Sequence, residues 1–284
     1  MKPEVVADFQ CEIGEAPLWH PDEHRLYWLD IPRGRIFRYD PETGDSEMCH
    51  EGPGIGGFTI QQDGALLLFT SAGAIQTWKQ GEIRTIMKER PGEDFAFNDV
   101  IADPLGRVFA GVKKGRDCQG RYYRLDTNAT LHKIETGLLE PNGFGFTLDR
   151  KHLYATDSNR RERYIYDYDR DSGKISDRRV FVRTPDDLGV PDGMTVDAEG
   201  YVWSAQWGGG CVIRYSPDGI EERRVELPVC KVSSVTFGGD DYMDIYITTA
   251  GGNKKAEEGS DAGALFKVNL SIKGLPEFRS RVGL

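Results

Sequence analysis

Residues 190–207 read VPDGMTVDAEGYVWSAQW, and the spacing inside this stretch sets the register of the whole chain. Asp192 stands ten residues before a short apolar run that opens at Val202. The pattern recurs, with Asn142 eleven residues before Leu153, Asn98 ten before Val108 and Glu15 eleven before Leu26. Runs of this kind begin at Leu26, Leu66, Val108, Leu153, Val202 and Ile245, separated by 40, 42, 45, 49 and 43 residues. Six units of that length, each with room for about four short strands, predict an all-β fold, a six-bladed β-propeller. Helical periodicity is not sustained anywhere.

Each unit follows one grammar. An opening strand is expected at Ala16–Trp19, Phe58–Gln61, Val100–Ala102, Phe144–Thr147, Met194–Val196 and Val235–Phe237. A polar turn follows, then the apolar run, then a third strand ending in a turn such as the PETG from Pro41 or the PDG from Pro217. Proline supplies a fixed φ and glycine a positive one in such turns. A more polar fourth strand, such as Ile220–Leu227, ends the unit. The last unit lacks a fourth strand after Ala264–Leu270, and only a short tail follows. Val5–Phe9 is therefore expected to supply that strand, joining the two ends of the ring and hiding a sheet edge. One propeller domain over residues 1–284 is the expected organisation.

In a propeller the first strand of every unit lines the central channel. Its opening residues, Glu15, about Gly56, Asn98, Asn142, Asp192 and Ser233 or Ser234, therefore meet at one mouth. Two carboxylates and two amides would converge there, a set of hard oxygen donors suited to one divalent cation: calcium, zinc, manganese or magnesium. The competing explanation is that Asn-Gly and Asp-Gly are ordinary turn dipeptides. Pro217-Asp218-Gly219 serves as an internal control, because it has the same letters between a third and a fourth strand. The links Lys113–Gln119 and Ala250–Gly263 are the longest on the same face and are expected to shape a pocket. Lys113, Lys114 and Arg116 are the candidates there for contacting a substrate.

Bulk properties exclude other classes. The net charge of −10 leaves no basic stripe for nucleic acid. No segment approaches a membrane span, and the N-terminus has no signal-like apolar stretch. Five widely spaced cysteines, Cys11, Cys49, Cys118, Cys211 and Cys230, fit free thiols in the cytoplasm. None of the five histidines falls at an aligned mouth position. There is no G-x-S-x-G, so a covalent serine route is not expected.

Ile13-Gly14-Glu15-Ala16-Pro17, Phe97-Asn98-Asp99, Pro141-Asn142-Gly143, Thr156-Asp157-Ser158, Pro191-Asp192-Gly193 and Phe237-Gly238-Gly239, in this order and spacing, carry a resemblance. The chain resembles the regucalcin/gluconolactonase/luciferin-regenerating-enzyme family of metal-dependent sugar lactonases over nearly its whole length. The resemblance implies that Glu15, Asn142 and Asp192 hold the metal, that Asn98 contacts metal or substrate, and that Asp192 is the general base. It also implies hydrolysis of a sugar lactone, gluconolactonase-like, to the sugar acid. One position departs from the family: its arginine two residues before the asparagine is Ala96 here. Lys113, Lys114 or Arg116 is expected to take over that polar contact. The alternatives are a phosphotriesterase-type hydrolase and a non-catalytic propeller, either calcium-binding or a scaffold. The expected partner is a small-molecule sugar lactone, with neither nucleic acid nor membrane, and the chain is expected to be a monomer or a weak homo-oligomer.

Overall fold

The computed structural model describes residues 2–89, 95–116 and 119–284. Six four-stranded antiparallel sheets follow one another along the chain. The first strand, β1 (Glu4–Ala7), stands apart and joins the last sheet. Blade 1 is β2 (Gly14–His20), β3 (Arg25–Asp30), β4 (Arg35–Tyr39) and β5 (Ser46–His50). Blade 2 is β6 (Ile55–Ile60), β7 (Leu66–Thr70), β8 (Ile75–Lys79) and β9 (Glu82–Met87). Blade 3 is β10 (Phe97–Ala102), β11 (Val108–Val112), β12 (Gly120–Leu125) and β13 (Leu131–Leu138). Blade 4 is β14 (Pro141–Phe146), β15 (His152–Asp157), β16 (Glu162–Asp169) and β17 (Lys174–Arg183). Blade 5 is β18 (Val190–Val196), β19 (Val202–Trp207), β20 (Cys211–Tyr215) and β21 (Glu221–Glu226). Blade 6 is β22 (Val232–Gly238), β23 (Asp244–Thr249) and β24 (Leu265–Asn269), with β1 as its outer strand.

The inner strands β2, β6, β10, β14, β18 and β22 each touch the next, and β22 returns to β2. This ring of contacts makes the six sheets a closed propeller. Closure takes the expected form: Glu4 pairs with Lys267, Val5 with Phe266 and Ala7 with Leu265. The second strands read as unbroken apolar runs because each is packed between two neighbouring blades. All five residues of β7 and of β11 are buried. Outer strands such as β9 and β21 are mostly exposed, hence their charge. Aromatic rings fill the seams: Trp203 meets Phe237 edge-on between blades 5 and 6, with centroids 5.6 Å apart. Phe9 stacks on Phe37 at 4.4 Å between blade 6 and blade 1.

The inner strands begin earlier than the apolar pattern indicates, because each contains a bulge. Pairing slips between Glu15 and Leu18, Ile55 and Gly57, Phe97 and Val100, Asn142 and Phe144, Pro191 and Met194, and Val232 and Ser234. A bulge carries an unpaired residue and re-aims its side chain. So Asn142-Gly143 and Asp192-Gly193 are not turns. A Cβ on Gly143 would sit 2.5 Å from the Asp192 carbonyl oxygen, and one on Gly193 would sit 2.1 Å from Ser234 Oγ. Close approach of neighbouring bulges demands glycine here. Gly219, by contrast, has φ +79° in a true turn, where Ser216 N donates to Ile220 O at 2.8 Å. Asp218 is exposed there.

The C-terminal tail is more than an end. Its backbone bonds to Tyr242, Ala198, Ile60, Gln62, Gly106 and Thr127. Phe278 packs on Phe146, and Arg279 holds Asp22 through two bonds of 2.6 Å. Val282 is buried in the core shared by blades 2 and 3. Thus the tail touches every blade and covers the channel on the face away from Glu15 and Asp192. A small cavity of about 60 Å³ remains above it, lined by residues that include Thr59, Asp99, Thr236 and Glu277.

Candidate active site at the channel mouth

The bulges bring Glu15, Asn98, Asn142 and Asp192 to one cavity of about 350 Å³ at the end of the channel. All four are buried, at 7, 5, 8 and 5 % exposure. Lys113 also lines this cavity, whereas Lys114 and Arg116 are exposed and do not. Of the long links, the one from Lys113 to Gln119 includes residues 117 and 118, so Cys118 lies outside the described residues. The other described cysteines are free. Residues 250–263 hold a 3₁₀ turn, Gly252–Lys254, and a one-turn helix, Lys255–Glu258.

Local bonds fix the donors. Glu15 Oε2 accepts from the Ala16 N–H at 2.9 Å, and Ala16 itself has φ +49°. A left-handed alanine costs roughly 1 kcal/mol and marks local strain beside the carboxylate. Asn98 Nδ2 donates to the Pro141 carbonyl at 2.8 Å, which leaves Oδ1 as its free polar atom. Asn142 Nδ2 donates to Ser158 Oγ at 3.1 Å and also to Asp192 Oδ1. Thus Asn142 presents its nitrogen, not its oxygen, to Asp192, and would serve a cation by turning its amide over.

The carboxylates repel one another. Burial, then Asp192, then Asp99 push Glu15 well above the usual carboxylate range. Burial and Asp99 do the same to Asp192. Asp99, the bulge residue after Asn98, is pushed up to about 6, chiefly by burial. Glu15 and Asp192, two buried acids in one cavity that resist ionisation, are what a bound divalent cation relieves, so this donor set fits one, with Asp99 lining the small cavity behind it. The set is mixed: among the described residues, no three His, Cys, Asp or Glu side chains form a metal-holding group.

Several features escape the repeat pattern. Glu140 lines the cavity and lies 3.3 Å from Lys113. Ser158, Asn159 and Trp207 line it too. Arg163, opposite Thr156 on β16, is fully buried, and its three guanidinium nitrogens find no hydrogen-bond acceptor. Burial brings it down to about 10. Asp99 and Glu140 follow or precede aligned residues and could have been flagged on that ground. Arg163 leaves no such signal, being one charge in a run of charged residues.

Residues 13–251 match the family described as SMP-30/Gluconolactonase/LRE-like region. The chain is 48% identical over 288 residues to the pentonolactonase XacC of Haloferax volcanii, covering 98% of each chain. It is 33% identical to the 6-deoxy-6-sulfogluconolactonase of Pseudomonas putida, over 93% of this chain and 94% of that one. A solved luciferin-regenerating enzyme superposes with a TM-score of 0.89 at 25% identity, covering 99% of both chains.

Proposed function

This chain belongs to the SMP-30/gluconolactonase/LRE-like family, and from that premise we propose that it hydrolyses a sugar lactone to the sugar acid with the help of one divalent cation. The observation that carries the proposal is the meeting of Glu15, Asn98, Asn142 and Asp192 in one buried cavity. Relatives named as lactonases support the reaction class. Residues 1–284 work as one propeller domain in this reading, since both ends of the chain are woven into the ring.

Glu15, Asn142 and Asp192 would hold the cation, which when bound would supply Lewis-acid polarisation of the lactone carbonyl. Asn98, its nitrogen tied to Pro141, turns Oδ1 toward substrate. Lys113 donates to a ring substituent. Asp192 takes a proton from the attacking water, whose oxygen bonds to the carbonyl carbon. The ring C–O bond then breaks, and the same proton passes to the departing ring oxygen, giving a hydroxy acid. Ile13, Ile31, Val190 and Trp207 form an apolar wall beside this step.

The four free thiols among the described residues fit a reducing compartment, the cytoplasm. Among the described residues no helix is long and apolar enough to cross a membrane. The test is acid release from a panel of aldonolactones, with and without added calcium, zinc, manganese or magnesium, beside phosphotriesters for comparison. Hydrolysis of phosphotriesters but not lactones, or of neither, would refute the proposal.

A further inference from the structure

Charge at the rim of the cavity restricts the substrate further, an inference that rests on the lactonase reading above. Among the described residues lining the cavity, Lys113 is the sole cation, against the carboxylates of Glu15, Glu140 and Asp192. Lys113 follows β11 of blade 3 and Glu140 precedes β14 of blade 4, so the pair spans a blade seam. Nζ lies 3.3 Å from Glu140 Oε1, with the two side chains 37 and 26 % exposed. The backbone of Glu140 is held at both polar atoms. The buried Asp157 carboxylate accepts from the backbone N–H of Leu139 and of Glu140, each at 2.9 Å. The Glu140 carbonyl accepts from Ser158 N at 3.0 Å.

The pair therefore presents no net positive charge. The charge of a divalent cation held at this site would be balanced by Glu15 and Asp192. No cation on the cavity lining is left to compensate an anionic substituent on the substrate, Arg163 being fully buried and outside that lining, and removing such a group from water without a partner is unfavourable. A neutral polyol suits the same wall, with Glu140, Ser158 and Asn159 able to meet hydroxyls.

We propose that Glu140 is a specificity-determining residue: by neutralising Lys113 it restricts the site to lactones that carry no anionic group. Lactones bearing a carboxylate, sulfonate or phosphate away from the ring are turned away.

The experiment compares kcat/KM for a neutral aldonolactone with that for an aldaric acid monolactone of the same ring size, which carries one free carboxylate. The unaltered chain is expected to favour the neutral lactone by about tenfold or more, given one unbalanced charge at a partly wet rim. Glu140→Gln frees Lys113 and narrows that ratio by about tenfold, mainly through KM for the anionic lactone. Lys113→Glu reads the same charge from the other partner and widens the ratio, which keeps the test valid if Glu140→Gln does not fold. Equal kcat/KM for both lactones in the unaltered chain overturns the inference. So does a ratio unmoved by either substitution, which would leave Glu140 a merely structural role. Failure to hydrolyse either lactone refutes the lactonase reading itself and takes this inference with it.

Discussion

Asn98 of blade 3 donates its side-chain N–H to the carbonyl oxygen of Pro141 in blade 4, 2.8 Å across the seam. Pro141 immediately precedes Asn142, so one hydrogen bond sets the spacing of two cavity residues. It also decides which atom of Asn98 is available.

Asn98→Asp should therefore be worse than its size implies. The new carboxylate oxygen would face the Pro141 carbonyl and lie near Glu15, Asp99 and Asp192. Without metal, we expect a loss of about 1–3 kcal/mol, the usual result of replacing a buried donor by an acceptor. Urea unfolding measures it, and unchanged stability would mean the Asn98–Pro141 bond does not hold the site.

Asp192→Asn and Asp218→Asn change one charge each in the same tripeptide. At 192 the proposed base and a cation donor are both lost, and lactone hydrolysis should fall by about 10²–10⁴. At 218 the residue lies in an exposed turn with no role in the cavity, and activity should be unchanged, with stability altered by less than about 1 kcal/mol. The readout is initial rate at saturating metal with spontaneous hydrolysis subtracted. A wild-type rate in Asp192→Asn would end the mechanism.

These two aspartates show how far the chain could be read unaided. Six apolar runs at nearly even intervals revealed the blades, because the second strands are buried on both sides and must be apolar throughout. The line of Glu15, Asn98, Asn142 and Asp192 was legible because repeats around an axis bring equivalent positions together. What separates Asp192 from Asp218 physically is a bulge packed against the next blade, and that depends on contacts between residues some fifty positions apart. The ion pair of Lys113 with Glu140 was half visible, since the lysine was flagged and its partner was not. The role of the tail was missed because its bonds are mostly backbone, which any side chains could make.

Metal removal should lower both activity and stability. Chelation leaves Glu15, Asp99 and Asp192 crowded without a counter-charge, and added divalent cation should raise the melting temperature. At a concentration about 100 times Kd the gain is roughly 2.7 kcal/mol. Glu15→Gln should blunt that response. A melting curve insensitive to calcium, zinc, manganese and magnesium would remove the metal from the proposal.

Glu277 offers a pH prediction away from the site. Its carboxyl accepts from Thr195 Oγ1 at 3.2 Å, and burial raises it to about 7. The folded chain then holds a proton that the unfolded chain, titrating near 4.5, has released. Stability from this group is complete below about 4.5 and declines as pH rises toward 7. Glu277→Gln should remove that decline and stabilise the chain at pH 8 by about 1–3 kcal/mol. Parallel stability–pH curves for the two proteins between pH 4.5 and 8 would contradict this.

The pairing of β1 with β24 ties Glu4 to Lys267. A ribosome adding about 5–20 residues per second needs on the order of tens of seconds to travel from one to the other. Blades 1 to 5 can assemble in order as the chain emerges, but Val5 has no strand to pair with until β24 is made and released. Throughout that interval an unpaired strand is open to a foreign sheet edge. Residues 4–7 thus wait for a partner made about 260 residues later, and the delay exposes the nascent chain to mispairing with its neighbours on the same message.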